Sequence, residues 1–353
     1  MTKPLLFTPI RIKDVTFKNR VVIAPMATDA ASAGMAQDCH FAHWGGLVLG
    51  GAGCAIVEAS AVTQQGRITN GDLGLWSAAH VPPLRCIATF MRTRGVVAGI
   101  QIAHGGRKAS LQRPWHGNGA LTAEDLARGE EKWETVAPTC EPMAAGPIVP
   151  RQLSIADLEL KRHWADAAAR ALEAGFEVLE IHNAHGYLMH QFLSPLSNTR
   201  NDAYGGVFAG RTRFPLEVAE AVRAVWPTSK PLFLRVSAVD GIEGGWSLDD
   251  SVAYARALKA RGVEVIDCSS GGLYGSATRR SAFRRSDPAA RPRRAYRRRP
   301  RGSGQSGLAA DGGKRARSQT GRSHGRLAGR VRLVAQASRV GDRAHSRRCG
   351  NVK

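Results

Sequence analysis

The stretch Val178-Leu-Glu-Ile-His-Asn-Ala-His-Gly-Tyr187 decides the reading of this chain. It opens as a largely apolar run of strand length and empties into a turn carrying two imidazoles and a phenol. Strands of this kind, buried on both faces, belong to parallel sheets covered by helices. In a barrel of such strands the C-terminal rim carries the chemistry, which puts His182, His185 and Tyr187 at that rim.

Working outward, five more segments share this character: Val21–Ala24, Ala55–Glu58, Val97–Ile102, Leu232–Ser237 and Val265–Ser269. Helical patterning fills the gaps at His40 to Leu49, Val81 to Arg94, Ile155 to Ala174, Phe208 to Val225 and Leu248 to Arg261. The third helix is the clearest, with Ser154 and Asp157 spaced as a capping box and Gly175 at the C-terminal stop. Arg107 to Arg151 holds five prolines and reads as an excursion over the barrel mouth. Strand alternating with helix six times fits the α/β class, as a (β/α)8 TIM barrel truncated after about six strands, better than an open doubly wound sheet.

The formal charge of +21 is not spread over the chain. Residues 276–353 hold 21 Arg and 2 Lys against 3 Asp and no Glu, a net of +20. Those 78 residues contain nine of Leu, Val, Phe and Tyr and no Ile, Trp or Met, too little apolar surface to offset chain entropy. The organisation expected is therefore an incomplete barrel over 1–275 and a disordered Arg-rich tail over 276–353. Six scattered cysteines form no C-x-x-C pair and read as reduced thiols, mostly core filler. No run of about 18 apolar residues and no export signal is present, so a soluble cytoplasmic protein without membrane contact is expected.

Two histidines three residues apart can ligate a metal, but no third ligand stands at a recognisable spacing, and no metal is assigned. They can also merely hydrogen-bond within a turn. The sharper reading is a pair of donors that polarise a carbonyl or nitro oxygen, with Tyr187 delivering a proton nearby.

Seven motifs stand in order: Val21-Val-Ile-Ala-Pro-Met26, Ile56-Val-Glu-Ala-Ser-Ala-Val62, Gln65-Gly-Arg-Ile-Thr69, Gly99-Ile-Gln-Ile-Ala-His-Gly-Gly-Arg107, the His182 block, Asn198-Thr-Arg-Asn-Asp-Ala-Tyr-Gly-Gly206 and Phe233-Leu-Arg-Val-Ser237. Together they resemble the bacterial old yellow enzymes, the FMN-dependent NAD(P)H:enone oxidoreductases. The resemblance implies FMN as cofactor, NADPH or NADH as reductant, an enone-type small molecule as substrate, and a homo-oligomer in intact relatives. It implies that Pro25, Met26 and Ala27 form a shelf beside the flavin and that Ala59 touches it. Gln101 would hydrogen-bond the flavin pyrimidine and Arg235 would face N1 and O2. His182 and His185 would hold the substrate oxygen, and Tyr187 would protonate the α-carbon.

Departures accompany the match. Ala27 stands where the family usually has Cys or Thr, Asp29 where relatives often carry a substrate-facing Tyr, and Val207 and Gly210 break a common loop pattern. The flavin phosphate would sit in loops after strands seven and eight, and the tail offers neither strand. A basic segment of this composition can instead serve a nucleic-acid or acidic partner, though none is expected unless the tail is genuine. Gly45–Gly53 lacks the G-x-G-x-x-G spacing of a dinucleotide-binding turn. The abrupt change of composition points to a shift of reading frame near Thr278. Restoring one base in the gene is expected to yield strands seven and eight, and an alternative frame full of stop codons would sink that reading.

Overall fold

The computed structural model describes residues 4–143, 148–274 and 332–335. An antiparallel hairpin, β1 (Ile10–Ile12) and β2 (Val15–Phe17), precedes β3 (Val22–Ile23), α1 (Asp38–Leu49) and β4 (Cys54–Ala61). There follow β5 (Leu73–Gly74), α2 (Val81–Thr93) and β6 (Val97–Ala103). The excursion contains α3 (Ala123–Ala127), β7 (Val136–Ala137) and β8 (Arg151–Gln152), and leads into α4 (Lys161–Glu173) and β9 (Val178–Asn183). The chain continues through α5 (Leu188–Leu193), α6 (Phe208–Val225), β10 (Leu232–Ser237), α7 (Leu248–Ala260) and β11 (Val265–Ser269).

The six expected strands are β3, β4, β6, β9, β10 and β11, paired in parallel in that order. A short strand, β12 (Arg332–Ala335), continues the order as a seventh, parallel to β11. The remainder of the tail, and with it the expectation of disorder and a shifted frame, lies outside the described residues. Among the described residues β3 and β12 are the edges of the curled sheet.

Two apolar layers follow from the two-residue period of the strands. Ala55, Val57, Ala98, Ile100, Leu179, Ile181, Leu234 and Val236 point outward and pack with the helices. The alternate residues Cys54, Ile56, Val97, Val178, Phe233 and Val265 point inward, where Val15 and Phe17 of the hairpin close the bottom of the ring. Phe17 lies stacked on Phe233 at 6.4 Å.

The capping arrangement at Ser154 forms as expected, with each residue's backbone N–H donating to the other's side chain at 2.8 and 3.2 Å. The first turn after it is nevertheless a 3-10 helix, Ala156–Leu160, before α4 begins. Gly175 takes φ +91°, the left-handed stop that glycine adopts without strain. The reading of the cysteines as core filler needs correction: of those described, Cys54 is buried, Cys39 and Cys268 are half-buried, and Cys86 and Cys140 are exposed. No helix among the described residues is long and apolar enough to cross a membrane.

Because the hairpin is the only apolar closure of the lower ring among the described residues, Phe17→Ala should lower stability by about 3–5 kcal/mol. Urea unfolding followed by tryptophan fluorescence measures this, and an unchanged midpoint would show that the plug contributes nothing.

Candidate active site

Strand register brings the upper lumen together. Gln101 of β6 stands opposite Glu180 of β9, and Arg235 of β10 stands between His182 of β9 and Asp267 of β11. Side chains of paired residues share a face, so these five line one wall. Gln101 Nε2 donates to Glu180 Oε1 at 2.7 Å, and the Arg235 guanidinium lies 3.3 Å from Asp267. Arg235 is thus an ion-pair partner as well as a lumen cation.

On β4 the register breaks between Val57 and Ser60, so Glu58 and Ala59 together oppose the single residue Gln101. This bulge frees Glu58 to accept from Thr28 N and Thr28 Oγ1 at 2.8 and 2.9 Å, which anchors the loop after β3. Pro25, Met26 and Ala27 lie just before that anchor, with Met26 43% exposed and Ala27 open at the mouth. Ala59, in the bulge of β4, is half-buried.

The three residues expected at the rim of β9 do meet. Ring centroids lie 5.1 Å apart for His182 and His185, 5.0 Å for His182 and Tyr187, and 6.5 Å for His185 and Tyr187. Ala184 N donates to His182 Nδ1 at 3.2 Å, which places the ring proton of the neutral imidazole on Nε2. His185 Nε2 shares a 2.6 Å hydrogen bond with Ser269 Oγ of β11.

The loop that presents them is locally strained. His185 has φ +60°, a left-handed conformation that a residue with a Cβ disfavours. Gly186 and Gly272 are required here by close approach: a Cβ on Gly272 would lie 2.6 Å from His185 Cα, and one on Gly186 would lie 2.4 Å from Gly272 O.

Neighbours that sequence reading missed hold this loop down. Ser237 Oγ accepts from His185 N at 2.9 Å, and Lys108 Nζ donates to His185 O and Gly272 O at 2.8 and 3.1 Å. Lys108 Nζ also lies 4.9 Å from the centre of the Tyr187 ring. Beneath the loop Gly186 N donates to His190 Nδ1, whose Nε2 donates to Asp240 at 2.8 Å with both side chains fully buried. Lys108 lay within a quoted motif and Glu180 within the deciding stretch, but pairings across 77 or more residues leave no periodic signal in one sequence.

Burial dominates the electrostatics. It pushes His182 well below the ordinary imidazole range and His185 down to about 3, with Arg235 and Lys108 adding repulsion to both. Burial likewise raises the Tyr187 phenol, raises Glu180 to about 8 with Asp267 adding repulsion, and raises Asp267. Burial would raise Asp240 too, but hydrogen bonds from His190, Ser194 and Trp246 N hold it below its usual value. At neutral pH the rim therefore presents neutral N–H and O–H donors over a lumen that keeps a carboxyl proton.

The departures from the family pattern have physical settings. Asp29 is buried with φ +53° and accepts from Thr69 Oγ1 at 2.9 Å, while burial raises its carboxyl. Gly210 sits where a Cβ would be 2.0 Å from Gly205 O, so no larger residue fits without moving that loop. Gly45 lies inside α1, not in a strand-to-helix turn.

A parallel α/β barrel with a polar lumen and a cluster of neutral donors at its C-terminal rim defines the class. The model of the NADH:flavin oxidoreductase / NADH oxidase family matches residues 5–291, and the chain belongs to that family. It is 42% identical over 271 residues to an NADPH dehydrogenase of Bacillus velezensis, covering 76% of this chain and 74% of that one. In structure it resembles the old yellow enzyme homologue from Zymomonas mobilis, with a TM-score of 0.65, 26% identity, and coverage of 77% of this chain and 75% of that one. A 2-naphthoyl-CoA reductase shares the fold at a TM-score of 0.67 and 24% identity, and this chain, matched over 76% of its length, spans only 40% of that larger one. FMN, with NADH or NADPH as reductant, is the family's chemistry.

Glu180 offers a test of the lumen that needs no ligand. A carboxyl whose folded-state pKa is raised to about 8 binds its proton more tightly folded than unfolded, so its contribution to stability is full below about pH 4 and is lost as pH rises toward 8. Glu180→Gln should therefore gain stability relative to the parent at pH 8.5 and not at pH 4. Parallel urea midpoints at the two pH values would refute the assignment.

Proposed function

We propose that this rim binds the carbonyl or nitro oxygen of an α,β-unsaturated compound and directs reduction of its C=C bond. The juxtaposition of His182, His185 and Tyr187 supports the reading more than any other observation. The His182 Nε2–H donor withdraws electron density through the bound oxygen and leaves the β-carbon electrophilic. His185, held in its left-handed turn, flanks the same position. Tyr187 keeps its proton because burial disfavours the phenolate, and so it can deliver that proton to the α-carbon as hydride arrives at the β-carbon.

The residues fit the ring system of FMN. An open shelf at Pro25, Met26 and Ala27, a small side chain at Ala59, the Gln101 amide and the Arg235 guanidinium would hold it, with Arg235 countering negative charge on the pyrimidine side. When bound, FMN accepts hydride from NAD(P)H and passes it to the substrate. Ala27 brings no thiol or hydroxyl to that edge, so tuning by such a side chain is absent.

The loops after strands seven and eight, expected to grip the phosphate, lie outside the described residues. Because the sequence after Gly275 does not resemble strands seven and eight of the family, the reading carries weak retention of FMN and low activity without added cofactor. Protein purified without added flavin should show less than stoichiometric flavin absorbance, and a stoichiometric yellow preparation would contradict this. With FMN at saturation, NADPH consumption should depend on cyclohexenone, and Tyr187→Phe should lower the rate about 10²–10⁴-fold. Unchanged turnover in that variant would remove Tyr187 from the reaction.

A further inference from the structure

We propose that Lys108 is a carbonyl-reactive lysine at this mouth, which condenses with aldehydes held against the rim histidines. The inference rests on the reading that His182 and His185 bind a carbonyl oxygen, and goes beyond it by adding a covalent site that reduction does not need.

Three observations place the amine. The turn after β6 carries Lys108 against the Tyr187 ring, 4.9 Å from its centre, so the amine sits beside the rim donors. The carbonyls of His185 and Gly272 take two of its hydrogens at 2.8 and 3.1 Å, which fixes the nitrogen and turns its remaining position away from both loops. Its neighbours supply no counter-ion: Arg107 is adjacent in sequence, the groups at and after the end of β9 are neutral imidazoles and a phenol, and no carboxylate ion-pairs with Lys108 among the described residues. Burial first and Arg107 second accordingly bring its pKa down to about 8.

A positioned amine with a sizeable neutral fraction near neutral pH, beside donors that polarise a carbonyl, is the arrangement for imine formation. The nitrogen lone pair adds to the carbonyl carbon, one amine proton passes to the oxygen to give the carbinolamine, and the second leaves nitrogen as the hydroxyl departs as water, leaving a C=N bond. No electrons are exchanged, and water reverses the step. Enones, whose ketone carbon is more hindered, leave the lysine free, so aldehydes alone would form the reversible adduct.

Lys230 supplies an internal control. It too is partly buried with a lowered pKa, donates to Phe176 O at 2.9 Å and lies 5.9 Å from the Trp226 ring, but no imidazole attends it. At pH 7.5 an amine with a pKa near 8 is about one-quarter neutral, whereas a lysine of ordinary pKa is about one-thousandth neutral.

The full chain is treated with benzaldehyde and sodium cyanoborohydride at pH 7.5, which converts any imine into a stable benzylamine, and each lysine is quantified by peptide mass mapping. Lys108 should be labelled about tenfold faster than Lys230 and every exposed lysine, and Lys108→Arg, which keeps a cation at the tie, should abolish that excess. Labelling of Lys108 no faster than Lys230 overturns the proposal. Selective labelling in a chain that fails to reduce cyclohexenone with NADPH and saturating FMN upholds the lysine and refutes the redox reading, whereas reduction without labelling does the reverse.

Discussion

The parallel register of β6, β9, β10 and β11 is the constraint from which the site follows. Because the side-chain period of a strand is two, pairing His182 with Arg235 and Arg235 with Asp267 fixes which residues reach the lumen. A slip of one residue on β10 would turn Arg235 toward the helices and put Leu234 or Val236 in the ring. The apolar outward layer opposes such a slip, since Leu234 and Val236 are buried against it. The residues that reach the lumen are thus specified by the packing of their neighbours on the opposite face of the sheet.

Burying so many polar groups costs free energy, and the arrangement limits that cost by keeping most of them neutral. The imidazoles stay uncharged, Glu180 keeps a proton, and Arg235 is held beside Asp267. The remaining strain is concentrated in one turn, where His185 adopts a left-handed backbone. That turn survives because groups from four segments restrain it: Lys108 after β6, Ser237 at the end of β10, His190 on α5, and Gly272 after β11. Strain maintained by contacts from separate segments is the pattern of a preorganised site.

Much of this was legible in the sequence. Strand and helix positions followed from apolar runs and caps, so six barrel strands and five helices stand close to where patterning put them. The rim trio was legible because it falls on one strand end, within six residues. What stayed hidden is pairwise and long-range: the Gln101–Glu180 contact, the Arg235–Asp267 pair, the Lys108 tie and the buried His190–Asp240 pair each join distant segments. The 3-10 turn opening α4 escaped as well, since a capping box marks where a helix starts and not how tightly its first turn winds. Two of the cysteines were misread because composition says nothing of which face of a helix or loop a thiol occupies.

The donors and the proposed phosphate grip draw on different parts of the ring. His182, His185, Tyr187, Arg235 and their supports come from β6, β9, β10 and β11 and the turns after them, whose pairing is continuous and whose helix-side residues are buried but for the half-buried Cys268. Closure of the ring would depend instead on what lies between β12 and β3. The contacts that hold the rim trio come from Lys108 after β6, Ser237 at the end of β10, and Ser269 and Gly272 at and after the end of β11. Under the proposed reading, positioning the donors and gripping the flavin phosphate are therefore tasks of different segments of the ring.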